Sequence, residues 1–334
     1  MSDLLLAKPK LPEGFIDVSV GEPYLIRDEL LSTFNIQHDL KEFHLSDDDM
    51  GYPNPTGYQP LVEFLEAKHG APVIVTNGAK QALGAVFYAL SRLGKKTIGM
   101  RNPYWALIPP LAEMHGLESV YDRLGDAYLH LAPNNPDGFI GNIPQLEATC
   151  KEYNVPLIHD GAYYNHLYIE RNIHLGPVGD VQIFSISKML GLSGLRLGYA
   201  VCYNAEFYKL MQAYVEAMTV GVSIYSQMFL HHVLSEKMAK RPELVKEFED
   251  NCRNQLRKNK DLCLNIDPEV LQVPKDVMDI AGMFGWFKVG PKADFHKAKL
   301  NFIDGKLFGM PGYVRMNLAF AEDKMKEIVK RLNG

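Results

Sequence analysis

Lys188 stands in the run Phe184-Ser185-Ile186-Ser187-Lys188-Met189-Leu190-Gly191-Leu192-Ser193-Gly194-Leu195-Arg196-Leu197-Gly198-Tyr199, with a serine one residue and another three residues before it and an arginine eight residues after. An amine that attacks a carbonyl must be neutral, and a desolvated setting beside another cation favours that form. The same arginine and the serine hydroxyls have the chemistry to bind a phosphate. A lysine in a glycine-rich loop is more often a solvated residue, so the weight rests on what accompanies it.

Several other polar residues stand where short apolar runs end. Asp160 closes such a run in His159-Asp160-Gly161-Ala162-Tyr163, a place where aspartate also serves as a helix N-cap. Asn135 lies in Pro133-Asn134-Asn135-Pro136-Asp137-Gly138, which reads as a turn. Thr76-Asn77-Gly78-Ala79-Lys80-Gln81 opens a helix directly after a strand, where free backbone N–H groups and the positive dipole end face a ligand. Trp105 follows Asn102-Pro103-Tyr104; with 17 tyrosines and 16 phenylalanines in the chain, core packing is its strongest rival role. Arg315, in Tyr313-Val314-Arg315-Met316-Asn317-Leu318, sits on a strand, where an isolated arginine is usually a surface ion pair.

In this order the segments resemble the pyridoxal-phosphate-dependent aminotransferases of fold type I, class I/II, whose S-x-S-K…G-x-R-x-G-Y signature is matched in full. The resemblance implies that Lys188 forms the Schiff base with pyridoxal 5'-phosphate and moves the α-proton, while Ser185 and Arg196 hold the phosphate. It implies that Asp160 keeps the pyridine nitrogen protonated, so the ring is an electron sink, and that Tyr163 and Asn135 bond the phenolic oxygen. Asn135 also approaches the substrate carboxylate, although Ala132 replaces the family's first asparagine. Gly78, Ala79 and Lys80 match the phosphate cup G-[SA]-x-x-A-L, with lysine a less usual residue there, and Trp105 takes the aromatic slot stacked on the ring. Arg315 matches the clamp of the substrate α-carboxylate, a bidentate task that lysine cannot perform, and Gly21 of Gly21-Glu22-Pro23 matches the backbone that closes over the substrate. Tyr52, with Gly57 and Leu61, resembles Y-x-x-x-x-G-x-x-x-L-R, although Val62 stands where arginine is common. In the family that tyrosine reaches the neighbouring subunit's cofactor, which implies a homodimer with shared sites.

These residues need a scaffold, and the chain supplies one. From about residue 71 to 202, short β-rich runs alternate with helical stretches: strands at 73–76, 97–100, 128–131, 156–159, 181–185 and 197–202, helices at 81–93, 105–115 and 143–153. In open α/β sheets ligands bind beyond the carboxyl ends of strands, where most of the residues above fall. The pattern turns helical and largely uninterrupted from 205 to about 257, which predicts a long connecting helix, and strands at 283–289 and 313–318 precede a closing helix at 321–332. The expected fold is α/β, a three-layer α/β/α large domain with a mainly parallel sheet plus a smaller α+β domain, aspartate-aminotransferase-like by resemblance. The expected division is 46–220 for the cofactor domain, with 1–45 and 221–334 forming the N-terminal arm and small domain.

Composition bounds the rest. The 334 residues carry 35 basic and 40 acidic side chains, a formal charge of −5, with 47% hydrophobic and 22% charged residues, which is ordinary for a globular protein. No basic block is present to track a phosphate backbone, so nucleic acid is not an expected partner. The N-terminal leucine patch is too short for a signal or a membrane span, and the four cysteines are scattered without a C-x-x-C pair. A cytoplasmic protein without a metal site is expected; the adjacent His231 and His232 diverge on a helix. The implied reaction is a ping-pong transamination between an L-amino acid and a 2-oxo acid. A same-fold lyase, decarboxylase or cyclase shares all the motifs, and intact Lys188 argues against a non-catalytic regulator.

Overall fold

The computed structural model describes residues 11–36 and 51–334. The chain opens with β1 (Ile16–Asp17), α1 (Tyr24–Phe34) and α2 (Gln59–His69), then enters the alternating region with β2 (Val73–Thr76), α3 (Gly78–Arg92), β3 (Thr97–Met100), α4 (Ile108–Met114), β4 (Glu118–Tyr121), β5 (Ala127–Leu131), α5 (Ile143–Glu152), β6 (Leu157–Asp160), β7 (Val181–Ser185), the one-turn α6 (Ile186–Met189) and β8 (Gly198–Cys202). Seven of these strands form one sheet in the order β2-β8-β7-β6-β5-β3-β4. All pairs are parallel except those of β8, which runs against both β2 and β7.

The central strands are buried on both faces, and successive residues serve opposite cores. Val73 and Val75 join one apolar cluster while Ile74 joins the other; Tyr199 and Val201 face the first, Ala200 and Cys202 the second. That period of two places helices on both sides of the sheet, giving the three-layer α/β/α domain. Asp160 is the last residue of β6, so its side chain is fixed by the strand.

The remaining elements are α7 (Ala205–Thr219), α8 (Ile224–His232), α9 (Pro242–Cys263), β9 (Leu271–Gln272), β10 (Phe284–Val289), β11 (Leu300–Asn301), β12 (Ile303–Asp304), β13 (Tyr313–Asn317) and α10 (Glu322–Asn333). The order β12-β13-β10-β9 makes an antiparallel sheet, the core of the smaller α+β domain. β1 pairs with β11, Ile16 opposite Leu300, so the amino-terminal arm is stitched to the carboxyl-terminal part.

Two expectations are corrected. The single connecting helix is instead α7, α8, a π-helical turn at Val233–Met238 and α9. Val220 is left-handed and Gly221 has φ +156°; Ser223 then caps α8 by accepting from the Ser226 N–H, and Pro242 restarts the helix where a missing N–H costs nothing. The helix expected at 105–115 begins at Ile108 because Pro109 and Pro110 are tolerated only in a first turn. Trp105 therefore belongs to the loop that precedes it. Among the described residues no helix is long and apolar enough to cross a membrane.

Candidate active site

Twelve of the residues singled out by their chemistry or by the family resemblance meet at one cavity of about 410 Å³: Gly21, the cup residues Gly78, Ala79 and Lys80, Trp105, Asn135, Asp160, Tyr163, Ser185, Lys188, Arg196 and Arg315. Tyr52 does not; it is 90% exposed on the surface. The sheet explains the convergence, since β2, β3, β5, β6 and β7 all run in one direction and deliver their following residues to one edge.

At one end, α3 starts one residue after β2, and Gly78 adopts φ +74°. A Cβ there would be strained by that φ and would come within 2.9 Å of Arg196 Nη2, so a side chain at this position would push the guanidinium away from the cup. Arg196 is itself left-handed, at φ 54°, and Nη1 donates to the Ser193 carbonyl at 2.9 Å. Gly198 supports the cup from beneath: a Cβ on it would lie 2.5 Å from Ala79 N and 2.7 Å from Gly78 C. Lys80 points over Trp105, its Nζ 6.0 Å from the ring centroid, and burial and then Arg196 lower its pKa.

Lys188 lies on α6 directly behind β7 and donates to the Gly21 carbonyl. Burial pushes its pKa down to about 8; Glu22 opposes this, and Arg315 and Arg196 add to it. The neutral amine is then about a tenth of the population at pH 7 and about half at pH 8. Across the cavity Asp160 is 2% exposed, with Oδ1 accepting from the Ala162 N–H at 3.1 Å. Burial raises its carboxyl to about 6, and a cation beside it would reverse that push. Burial also raises the Tyr163 hydroxyl well above its usual range.

Arg315, on β13, crosses from the small sheet into the same cavity. Nη1 donates to Asn135 Oδ1 at 2.9 Å and Nη2 to the Ser19 carbonyl at 2.7 Å, while Nε is buried without a partner. Phe284 packs on the guanidinium at 4.2 Å. Burial lowers its pKa to about 10, so it stays a cation at neutral pH. An unsatisfied buried donor on a fixed guanidinium is a ready seat for a carboxylate.

These groups fit pyridoxal phosphate. The cup and Arg196 offer N–H donors for its phosphate, the Gly78 cradle excludes a side chain, buried Asp160 offers an anion for its ring nitrogen, and Lys188 lies between. The volume falls within the roughly 300–1,000 Å³ usual for ligand pockets. The motifs did not single out Glu22, Ser193 or Phe284. The Glu22 carboxylate accepts from Ser193 Oγ at 2.7 Å, tying the segment after β1 to the loop after Lys188. Both residues stood inside quoted segments, but a long-range pair leaves no spacing to read.

A model of the family described as allinase matches residues 66–334. The probable aspartate/prephenate aminotransferase of Aquifex aeolicus is 24% identical over 305 residues, covering 78% of this chain and 74% of that protein. Tryptophan aminotransferase-related protein 2 of Arabidopsis thaliana is 34% identical over 176 residues, covering 48% of this chain and 38% of that protein. Among solved structures, aspartate aminotransferase from Thermus thermophilus with maleate superposes with a TM-score of 0.75 at 20% identity, over 96% of this chain and 91% of that one. The cavity and the family match over most of the chain agree, and the chain belongs to the allinase family, within the fold type I pyridoxal-phosphate-dependent aminotransferases.

Proposed function

We propose that the protein is a pyridoxal-phosphate-dependent aminotransferase moving an amino group between an L-amino acid, or an amine, and a 2-oxo acid in two half-reactions. The observation that carries this is the convergence of a buried amine, a buried carboxylate and an incompletely satisfied guanidinium on one cavity. When bound, the cofactor supplies an aldehyde and an electron-withdrawing ring that stabilises charge at the substrate Cα. The protein supplies the rest. Gly78, Ala79, Ser185 and Arg196 bind the phosphate, with Lys80 adding charge, and Asp160 holds a proton on the ring nitrogen. Tyr163 and Asn135 hold the phenolic oxygen, and Trp105 stacks on the ring. Arg315 and Asn135 would orient the α-carboxylate so that the Cα–H bond faces Lys188, the amine placed to take that proton and to give it back. Gly21 closes the wall above.

We propose further that the protein works as a homodimer. Tyr52 does not line its own chain's cavity and is exposed, while Gly57 fixes its segment: a Cβ at Gly57 would lie 2.7 Å from Val75 Cγ2. A neighbouring subunit's phosphate is the target its resemblance gives it. Four buried free thiols support a reducing, cytoplasmic setting.

Absorption spectroscopy tests the reaction. The cofactor-loaded protein is expected to show a visible band that amino acids convert to the pyridoxamine form, and Lys188→Ala to abolish the covalent link. An elimination or decarboxylation product without the pyridoxamine form turns the assignment to a lyase, and failure to take up the cofactor ends it.

A further inference from the structure

A second cavity, of about 270 Å³, lies between the loop following β6 and the segment leading into β10. Its wall is apolar at Leu167, Ile169, Leu256 and Ile280, and basic at Arg253, Arg257 and Lys260. Lys260, on the last turns of α9, is 6% exposed, and its Nζ donates to the Ile280 carbonyl. No carboxylate among the described residues forms an ion pair with it. Glu170 is taken by two arginines, at 2.9 Å from Arg257 and 3.6 Å from Arg253, and Asp279 acts on Lys260 only at longer range. Burial, assisted by Arg257, brings the Lys260 pKa to about 8 against the pull of Glu170 and Asp279.

An ammonium has three donors, and one carbonyl satisfies one of them. Of the three cations in the lining, Arg253 is ion-paired with Asp250 and Glu170 and Arg257 with Glu170, whereas Lys260 has no ion pair among the described residues. Burying a cation without an ion pair is costly, and a carboxylate delivered to Lys260 would supply the missing partner. Only Lys260 lacks such a partner, and the apolar wall would leave further charged oxygens of a dianion unbonded.

The cavity also touches the machinery. Tyr168 lines it, and the Tyr168 hydroxyl donates to the Lys188 carbonyl at 2.7 Å. The Gly282 N–H donates to the Tyr168 carbonyl at 3.3 Å, two residues before Phe284, which packs on Arg315.

We propose that this cavity is a second ligand site, for a monocarboxylate with an apolar body of about arylpropanoate size, whose carboxylate meets Lys260 and whose body lies on Leu167, Ile169, Leu256 and Ile280. The inference stands apart from the reaction assigned above. Calorimetric titration of the cofactor-loaded full chain with 3-phenylpropanoate tests it. Arg315→Met removes binding at the active site and is expected to leave one class of site, which the double variant with Lys260→Met weakens about tenfold or more, the loss of one charge-assisted hydrogen bond. Should Lys260→Met not fold, Arg257→Gln in the Arg315→Met background is expected to weaken the same phase. 3-Phenylpropanol, which lacks the charge, is expected not to bind. The proposal is overturned if Arg315→Met alone abolishes all 3-phenylpropanoate binding, if the remaining site is indifferent to both Lys260→Met and Arg257→Gln, or if inorganic phosphate binds it as tightly.

Discussion

Burial acts on two ionisable groups of the active site in opposite senses, and each consequence is measurable. It drives Lys188 toward the neutral amine, while the Glu22 carboxylate resists. In cofactor-free protein, labelling of Lys188 by an amine acylating reagent, followed by mass spectrometry, is expected to rise with a midpoint near pH 8. Removing the anion with Glu22→Gln is expected to lower that midpoint, and an unchanged midpoint would remove Glu22 from the electrostatics of the amine. Asp160 is the reverse case. Its folded pKa of about 6 exceeds the reference 3.8, so the folded state holds the proton more tightly and the associated stability is lost as pH rises from about 4 through 6. The ionised carboxylate costs about 3 kcal/mol at neutral pH by this reckoning. Asp160→Asn, which retains an acceptor for the Ala162 N–H, is expected to stabilise the cofactor-free protein at pH 7 while weakening cofactor retention. Denaturant unfolding and equilibrium dialysis read the two effects, and a destabilised Asn variant would contradict the account.

At the level of elements, the phosphate cup depends on a strand that runs the wrong way. β8 is antiparallel between β2 and β7, and Gly198 at its start lets the first turn of α3 settle onto it. The Cβ of Gly198→Ala would meet backbone on three sides, at 2.5, 2.7 and 2.8 Å from Ala79 N, Gly78 C and Phe184 O, and backbone cannot swing aside as a side chain can. Overpacking of this kind costs about 1–3 kcal/mol; the variant is expected to lose that much stability and to bind the cofactor more weakly, with the phosphate end affected first. Gly198 was visible in the sequence as a motif letter, but its reason was not, because the reason is a contact across 120 residues. The same division holds elsewhere. Strands such as Thr97–Met100 and Val181–Ser185 are legible because they are short apolar runs bounded by turns, and the cavity residues are legible because parallel strands deliver successive loops to one edge. The direction of β8, the breaks around Val220 and Arg241, and the Glu22–Ser193 bond are set by tertiary packing, and no local pattern encodes them.

At the scale of the whole molecule, Tyr52 bears on how many chains make one site. A tyrosine that is 90% exposed on a segment braced by Gly57 gains nothing by burial in its own chain, and it does not line the cavity that holds Gly78 and Arg196. If the partner's phosphate receives its hydroxyl, Tyr52→Ala should leave folding untouched and weaken cofactor affinity, since an exposed truncation removes no core contact. Sharing also makes a prediction that no single-chain site can satisfy. Tyr52→Ala and Lys188→Ala, denatured, mixed in equal amounts, refolded and assayed at a cofactor concentration too low to load Tyr52→Ala alone, form mixed dimers in half of the assemblies. Each mixed dimer contains one cavity with both Lys188 and the other chain's Tyr52, so about a quarter of wild-type activity returns, as the isologous two-fold arrangement requires. If Tyr52 served its own chain, every cavity in the mixture would still lack either the tyrosine or the lysine, and activity would not rise above the mean of the two variants.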